Sequence, residues 1–206
     1  MSTTFEVYSK TSFIPSFQDI LDLSTIKLKN FLDDFEINYK PQISVRLNSV
    51  KSHDAQPLNL QAVAKWDDST YAWFHVTPFV GGTDVYFEQL SSLDRDFWSE
   101  LINQNSQAIK KKELMQACLS NGYYSTFSRG GQPAIIHLAY GIIIAASLAY
   151  LTKGFINSDD EAWDYKRFPA TPSEFFSWYF RPELAIDTRH KERATECIKL
   201  IPKQYE

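Results

Sequence analysis

The residues with the clearest capacity for recognition lie together near the start of the segment 158–180. They combine four carboxylates with two aromatic rings: Asp159, Asp160, Glu161, Trp163, Asp164 and Tyr165. Carboxylates next to Trp and Tyr suit the binding of a basic protein surface, because charge steers the encounter and the rings supply desolvated anchors. The sequence therefore predicts that these six residues bind a protein partner.

Helix capping accounts for part of this acidity. The spacing of Ser158 and Glu161 predicts a capping box, in which each side chain satisfies a free backbone N–H of the other residue, and Thr171 with Glu174 repeats the pattern. Acidic residues in a first turn also suit the helix dipole. Capping leaves Asp164 and the rings beside it unexplained, so both a core role and a contact role stay open for them.

Patterns for catalysis and metal binding are weak. The histidines lie in four different segments, without the H-x-x-x-H or C-x-x-C spacing of a metal site: His53, His75, His137 and His190. Cys118 is flanked by Ala117 and Leu119 in a helical pattern, which is typical of a packed, unreactive thiol. We therefore expect no catalytic residue, no metal and no cofactor, and a protein that is not an enzyme.

Composition limits the class of protein further. The 206 residues are 44% hydrophobic and carry a net charge of -4, which fits one domain over 1–206 and gives no basic field for nucleic acid. The two cysteines, Cys118 and Cys197, are far apart and suit free thiols in a reducing compartment. The first ten residues lack the pattern of a secretory signal, so we expect a cytoplasmic protein.

An uncharged stretch, 130–152, is close to the length that a membrane crossing requires. His137 lies inside it, however, and no asymmetric cluster of Lys or Arg flanks it to set an orientation. Gly141, Ala145 and Ala149 recur every four residues, which allows another element to approach closely. We therefore predict a buried helix of a soluble domain and no membrane partner.

The remaining patterns predict an α+β fold. Its N-terminal part is a mainly antiparallel sheet with helices, and its C-terminal half is helical and built around the buried apolar helix. Helical spacing covers 17–35, in two pieces if Ser24 caps the second, while 43–47 and 60–66 read as strands. Gly81 and Gly82 join a hairpin of 71–80 and 84–90, in which Pro78 favours an edge or a bulge. We expect the sheet to end near residue 90.

The pattern from Lys153 onward resembles that of bacterial toxin-immunity proteins, of the polymorphic-toxin and contact-dependent inhibition kind. A long apolar helix ends in Lys153 and Gly154, and residues 158–164 (SDDEAWD) and an aromatic helix follow. The resemblance implies a cytosolic protein that binds and neutralises a cognate toxin domain, of which a basic nuclease is one example. It assigns no binding residue and no particular immunity family.

Two other classes of protein stay open from the sequence. The first is an enzyme whose site converges from distant elements, with Arg129, His75 and His137 beside carboxylates. The second is a scaffold that forms a homodimer through the aromatic hairpin 71–90, with an exposed strand edge available for pairing. The sequence leaves open whether the protein is a monomer or a homodimer.

Overall fold

The computed structural model describes residues 2–130, 134–158 and 164–204. Within them a seven-stranded sheet has the order β3-β2-β4-β5-β6-β1-β7, and every strand pairing is antiparallel. This architecture, with its helices, confirms the predicted α+β class. The strands are β1 Ser2–Tyr8, β2 Gln42–Ser49, β3 Ala55–Gln56, β4 Thr70–Thr77, β5 Thr83–Gln89, β6 Tyr123–Gly130 and β7 Phe155–Asn157.

The helices lie between and after the strands along the chain. Those of the described residues are α1 Phe17–Asp34, α2 Ser92–Gln104, α3 Ser106–Lys110, α4 Lys112–Leu119, α5 Ala134–Leu138, α6 Ala146–Leu151, α7 Pro172–Trp178 and α8 Thr188–Leu200. A π-helical segment, Ala139–Ala145, joins α5 to α6, and the three pieces form what we call the central helix. The capping box predicted at Thr171 and Glu174 begins α7, with Pro172 at its first position.

One face of the sheet carries the main core. Because side chains alternate along a strand, Phe5 and Val7 of β1, Val85 of β5 and Phe127 of β6 all point to this face and are buried. The central helix, α1 and α7 pack over them and contribute their apolar sides to the same cluster. This layer holds most of the large apolar side chains of the chain.

The central helix lies in the core, as the uncharged stretch predicts. By length and composition Ala134–Leu151 could cross a membrane, but 82% of this window is buried within the fold, as in a core helix. Gly141 faces the ring of Tyr179, and a Cβ atom there would lie 2.6 Å from its hydroxyl oxygen. The small residue thus allows an aromatic side chain to approach the helix backbone.

A smaller layer, formed by α2, α3 and α4, packs on the opposite face at one end of the sheet. Tyr8 of β1 stacks between Tyr124 of β6 and Phe155 of β7, with ring centroids 5.0 and 4.7 Å away. Trp98 of α2 meets Tyr8 edge-on at 5.0 Å. These four rings belong to the second hydrophobic cluster and anchor the smaller layer.

Three sequence predictions about the fold are wrong. The sheet does not end near residue 90, since β6 inserts between β5 and β1, and β7 forms one end of the sheet. Residues 60–66 form no strand, and Val63 makes only an isolated bridge with Ser16. Ser24 does not begin a second helix: α1 is continuous, and the buried hydroxyl of Ser24 donates to the carbonyl of Ile143 at 3.2 Å.

The predicted hairpin is present, but it lies in the middle of the sheet. β4 pairs with β2 on one side and β5 pairs with β6 on the other, so neither strand offers a free edge for dimerisation. Pro78 follows the last residue of β4 and lies in the connection, where no ladder hydrogen bond is lost. Gly82 is required in this connection because a Cβ atom would lie 2.4 Å from the carbonyl oxygen of Phe74.

Candidate functional site

Asp164 of the predicted binding group is buried and bound within the chain. Its side chain has no exposed surface, and the Nδ1 atom of His190 lies 2.9 Å from Oδ1. The N–H of Ile186 donates to both carboxylate oxygens at 3.3 Å, and Nε of Arg167 lies 3.5 Å from Oδ2. Arg167 also donates to the carbonyl of Leu184. Asp164 therefore fastens the C-terminal segment to the fold, and its proposed role in docking is corrected accordingly.

The rest of the predicted binding group is only partly described. Asp159, Asp160, Glu161 and Trp163 lie outside the described residues, so their role remains a prediction. Tyr165 lies in a 3-10 helix, Tyr165–Arg167, where only its backbone is described. The capping box predicted at Ser158 extends into the same undescribed segment.

The side chains of the enzyme alternative are not brought together. His75 alternates with core residues of β4 and points away from the main core, whereas His137 is packed between Tyr179 and Phe180 in that core. Only the backbone of Arg129, in β6, belongs to the part of the chain that the structure describes. In residues 2–130, 134–158 and 164–204 no group of three His, Cys, Asp or Glu side chains is placed to hold a metal.

A large part of the second sheet face stays accessible to solvent beyond the smaller helical layer. We call it the open face; its side chains are partly or fully exposed and comprise Ser44, Arg46, Trp73, His75, Asp84, Tyr86, Glu88 and Thr126. The register of the strands aligns Trp73, Asp84 and Ser128 in one row across the sheet. An antiparallel sheet tolerates one solvated face, but this face is rich in rings and carboxylates.

Aromatic rings form the floor of the open face. Tyr71 of β4 is buried and stacks on Tyr86 of β5, with ring centroids 5.6 Å apart and planes 25° apart. Arg46 of β2 lies over the ring of Trp73, its guanidinium carbon 5.7 Å from the centroid. Because stacked rings on a sheet lose little freedom on binding, they are suitable anchors for a partner.

Four carboxylates lie on the open face or at its border with α2, and we call them the acidic group: Glu6, Asp84, Glu88 and Asp94. Burial, together with repulsion from Glu6, Asp94 and Glu88, raises the pKa of Tyr124 to about 12. Burial also raises the pKa of Tyr86, and Asp84 and Glu88 add to that rise. Burial is the larger cause in both cases, and the carboxylates that add to it place negative charge beside Tyr86 on the open face and beside Tyr124 at its border with α2.

Glu6 is held in place by a chain of hydrogen bonds. The indole N–H of Trp98 donates to the hydroxyl of Tyr8 at 3.1 Å, and that hydroxyl donates to Oε2 of Glu6 at 3.0 Å. The amide of Asn157 donates to the same oxygen at 3.1 Å. Burial, followed by the charge of Glu6, raises the pKa of Tyr8, which keeps its hydroxyl protonated and able to donate. The carboxylate is therefore positioned before any partner arrives.

A groove borders the open face where β2 and β4 meet the hairpin connection. Its volume is about 490 Å³, and its lining includes Arg46, Trp73, His75 and Val80. Nε2 of His75 donates to the carbonyl of Phe79 at 2.6 Å, which fixes the imidazole ring. Val80 is 88% exposed at the rim, so the groove offers an apolar contact beside the charged part of the face.

Sequence reasoning missed the acidic group because its members come from separate segments. Asp84, Tyr86 and Glu88 alternate with core residues of β5, and this period of two is the local signal that could have revealed a charged face. Glu6 joins them only through the pairing of β1 with β6, which sequence does not show. Asp94 belongs to the capping box of α2, and its carboxylate accepts a hydrogen bond from the hydroxyl of Ser91 at 2.7 Å.

Comparison with known proteins adds no assignment. No family model, no curated protein and no solved structure matches this chain.

Proposed function

We propose that this protein is a cytoplasmic immunity protein that binds and neutralises a cognate toxin domain through the open face. One observation carries the proposal: Asp84 and Glu88 lie beside Tyr86, which stacks on Tyr71, on the part of the sheet that the described helices leave accessible. The pattern from Lys153 onward, which resembles that of toxin-immunity proteins, points to the same class of function.

The arrangement suits a partner with a basic surface, such as a nuclease domain. Opposite charges on the two surfaces accelerate encounter, and this effect weakens as salt screens them. Tyr86 and Trp73 supply ring area that is desolvated on docking and holds the complex. Neither step requires this chain to carry out chemistry.

The toxin to test first is the product of the adjacent open reading frame, because the resemblance implies an inhibitor encoded beside its target. Its expression should stop growth, and co-expression of the immunity protein should restore it. The variant Asp84→Asn with Glu88→Gln removes two charges from the open face. The variant Glu192→Gln with Glu196→Gln removes the same charge from exposed positions on α8 and is the matched control.

We expect the open-face variant to lower the association rate by about fivefold to tenfold at low salt, because steering scales with the charge on the surface. The difference should shrink at high salt, and the control should associate at the wild-type rate. Growth rescue without any loss of association rate in the open-face variant would reject this face. No rescue and no binding by the wild-type protein would reject the proposed pairing with the neighbouring product.

A further inference from the structure

We propose that Asp84 is the anchor for an arginine side chain of the toxin domain, flanked by the rings of Trp73 and Tyr86. This inference rests on the proposed function and specifies the contact at the centre of the open face. The charge and the shape of the site favour an arginine side chain as its occupant.

Asp84 lies in the interior of the open face, on the middle strand of the sheet, with three strands on either side. Its cross-strand neighbours are Trp73 on β4 and Ser128 on β6, and Tyr86 follows two residues later on the same side of β5. The carboxylate is thus enclosed on three sides by side chains of neighbouring positions, two of which are aromatic. Access remains from the solvent side, since Asp84 is partly exposed.

The carboxylate of Asp84 is left without a partner in the described chain. It forms neither a hydrogen bond nor an ion pair within the described residues. The carboxylates of Asp94 and Glu174, by contrast, accept hydrogen bonds in capping boxes. Burial raises the pKa of Asp84, and the charge of His53, which acts in the opposite direction, does not cancel this rise. A partly buried anion without a bonded partner weakens folding, so its acceptor capacity remains for an external donor.

Arginine fits this environment better than lysine does. Its planar guanidinium offers several donors in a fixed fork that matches a carboxylate, and it stacks on aromatic rings. The site already contains one such contact, because the guanidinium of Arg46 lies over Trp73. Arg46 of β2, Trp73 of β4 and Asp84 of β5 lie in one cross-strand row, with Trp73 in the middle. Arg46 contacts the ring of Trp73, so the carboxylate of Asp84 is left for a second guanidinium.

The test uses this chain alone with small probes. N-acetyl-arginine amide, its lysine counterpart and its uncharged citrulline counterpart are titrated while NMR follows the carboxyl carbon of Asp84 and the indole N–H of Trp73. We expect saturable shifts with the arginine probe, weaker shifts with lysine and none with citrulline. Asp84→Asn, which keeps the side-chain shape, should weaken arginine binding by about tenfold or more, and Glu192→Gln should leave it unchanged.

Equal shifts with citrulline, or an affinity unchanged by Asp84→Asn, would overturn the assignment. The result is independent of the toxin assay. If the probes fail to bind while growth is still rescued, the proposed function stands and the arginine anchor is wrong. If the probes bind as expected and no toxin is neutralised, the anchor stands and the immunity function is wrong.

Discussion

Replacing Asp164 separates a structural role from a docking role. Its carboxylate is fully buried, while its partners His190 and Arg167 retain 21% and 25% of their side-chain exposure. Asp164→Ala removes the acceptor from the guanidinium of Arg167, from the imidazole of His190 and from the N–H of Ile186. It also places alanine at a backbone φ of 50°, in the left-handed region that Asp and Asn tolerate better.

The expected loss is about 3–4 kcal/mol in the free energy of unfolding. Breaking a buried ion pair by removing one partner costs about 3–5 kcal/mol, and water reaching Arg167 and His190 favours the lower end of that range. The left-handed backbone adds about 1 kcal/mol for alanine. Asp164→Asn keeps the backbone preference and one acceptor oxygen, so its loss should be about half as large.

Urea unfolding followed by tryptophan fluorescence measures both losses. Glu192→Ala, on the exposed side of α8, is the control and should stay within about 0.5 kcal/mol of the wild type. A loss below about 1 kcal/mol for Asp164→Ala, combined with weaker binding of the toxin domain, would refute the structural role. It would also restore Asp164 to the docking surface.

Three further outcomes are expected. Gly141→Ala should lower the melting temperature, measured by calorimetry, by a few degrees. Crowding against Tyr179 costs about 1–3 kcal/mol, which exceeds the gain in helix propensity. Adding Tyr179→Phe should recover part of the loss, because it removes the hydroxyl that the new Cβ atom meets. Glu88→Gln should lower the pKa of Tyr124, followed through its ring carbon in NMR, because a repelling charge is removed; an unchanged pKa would contradict the charge distribution. Cys118, whose pKa burial raises to about 12, should react with iodoacetamide only after unfolding, and rapid labelling of the folded chain at that residue would contradict its burial.

Local patterns predicted much of the fold because they depend on neighbouring residues. The uncharged run gave the buried helix Ala134–Leu151, and the glycines at 81 and 82 gave the hairpin of β4 and β5. The strand β6 was missed because Ser125 and Ser128 interrupt its apolar pattern, although Tyr124 and Phe127 pack in the two hydrophobic clusters. Its position is fixed by distant pairing with β1 and β5.

The candidate site was less predictable than the fold. A single segment, 158–180, drew attention because its carboxylates and rings are consecutive, yet the structure assigns Asp164 to an internal ion pair. The open face gathers side chains from four strands, with Glu6 of β1 and Asp94 of α2 at its border, and each of them looks ordinary in its own segment. Only the register of the sheet brings Glu6, Asp84 and Glu88 onto one surface.

Hydroxyl-radical footprinting of the complex with the toxin domain tests the central claim most directly. Trp73 and Tyr86 react readily when exposed and should be protected on binding, whereas Tyr150, 52% exposed on the helical layer of the other face, should keep its reactivity. Unchanged oxidation of Trp73 and Tyr86, together with protection of Trp163, would contradict docking on the open face and place the interface at residues 159–163.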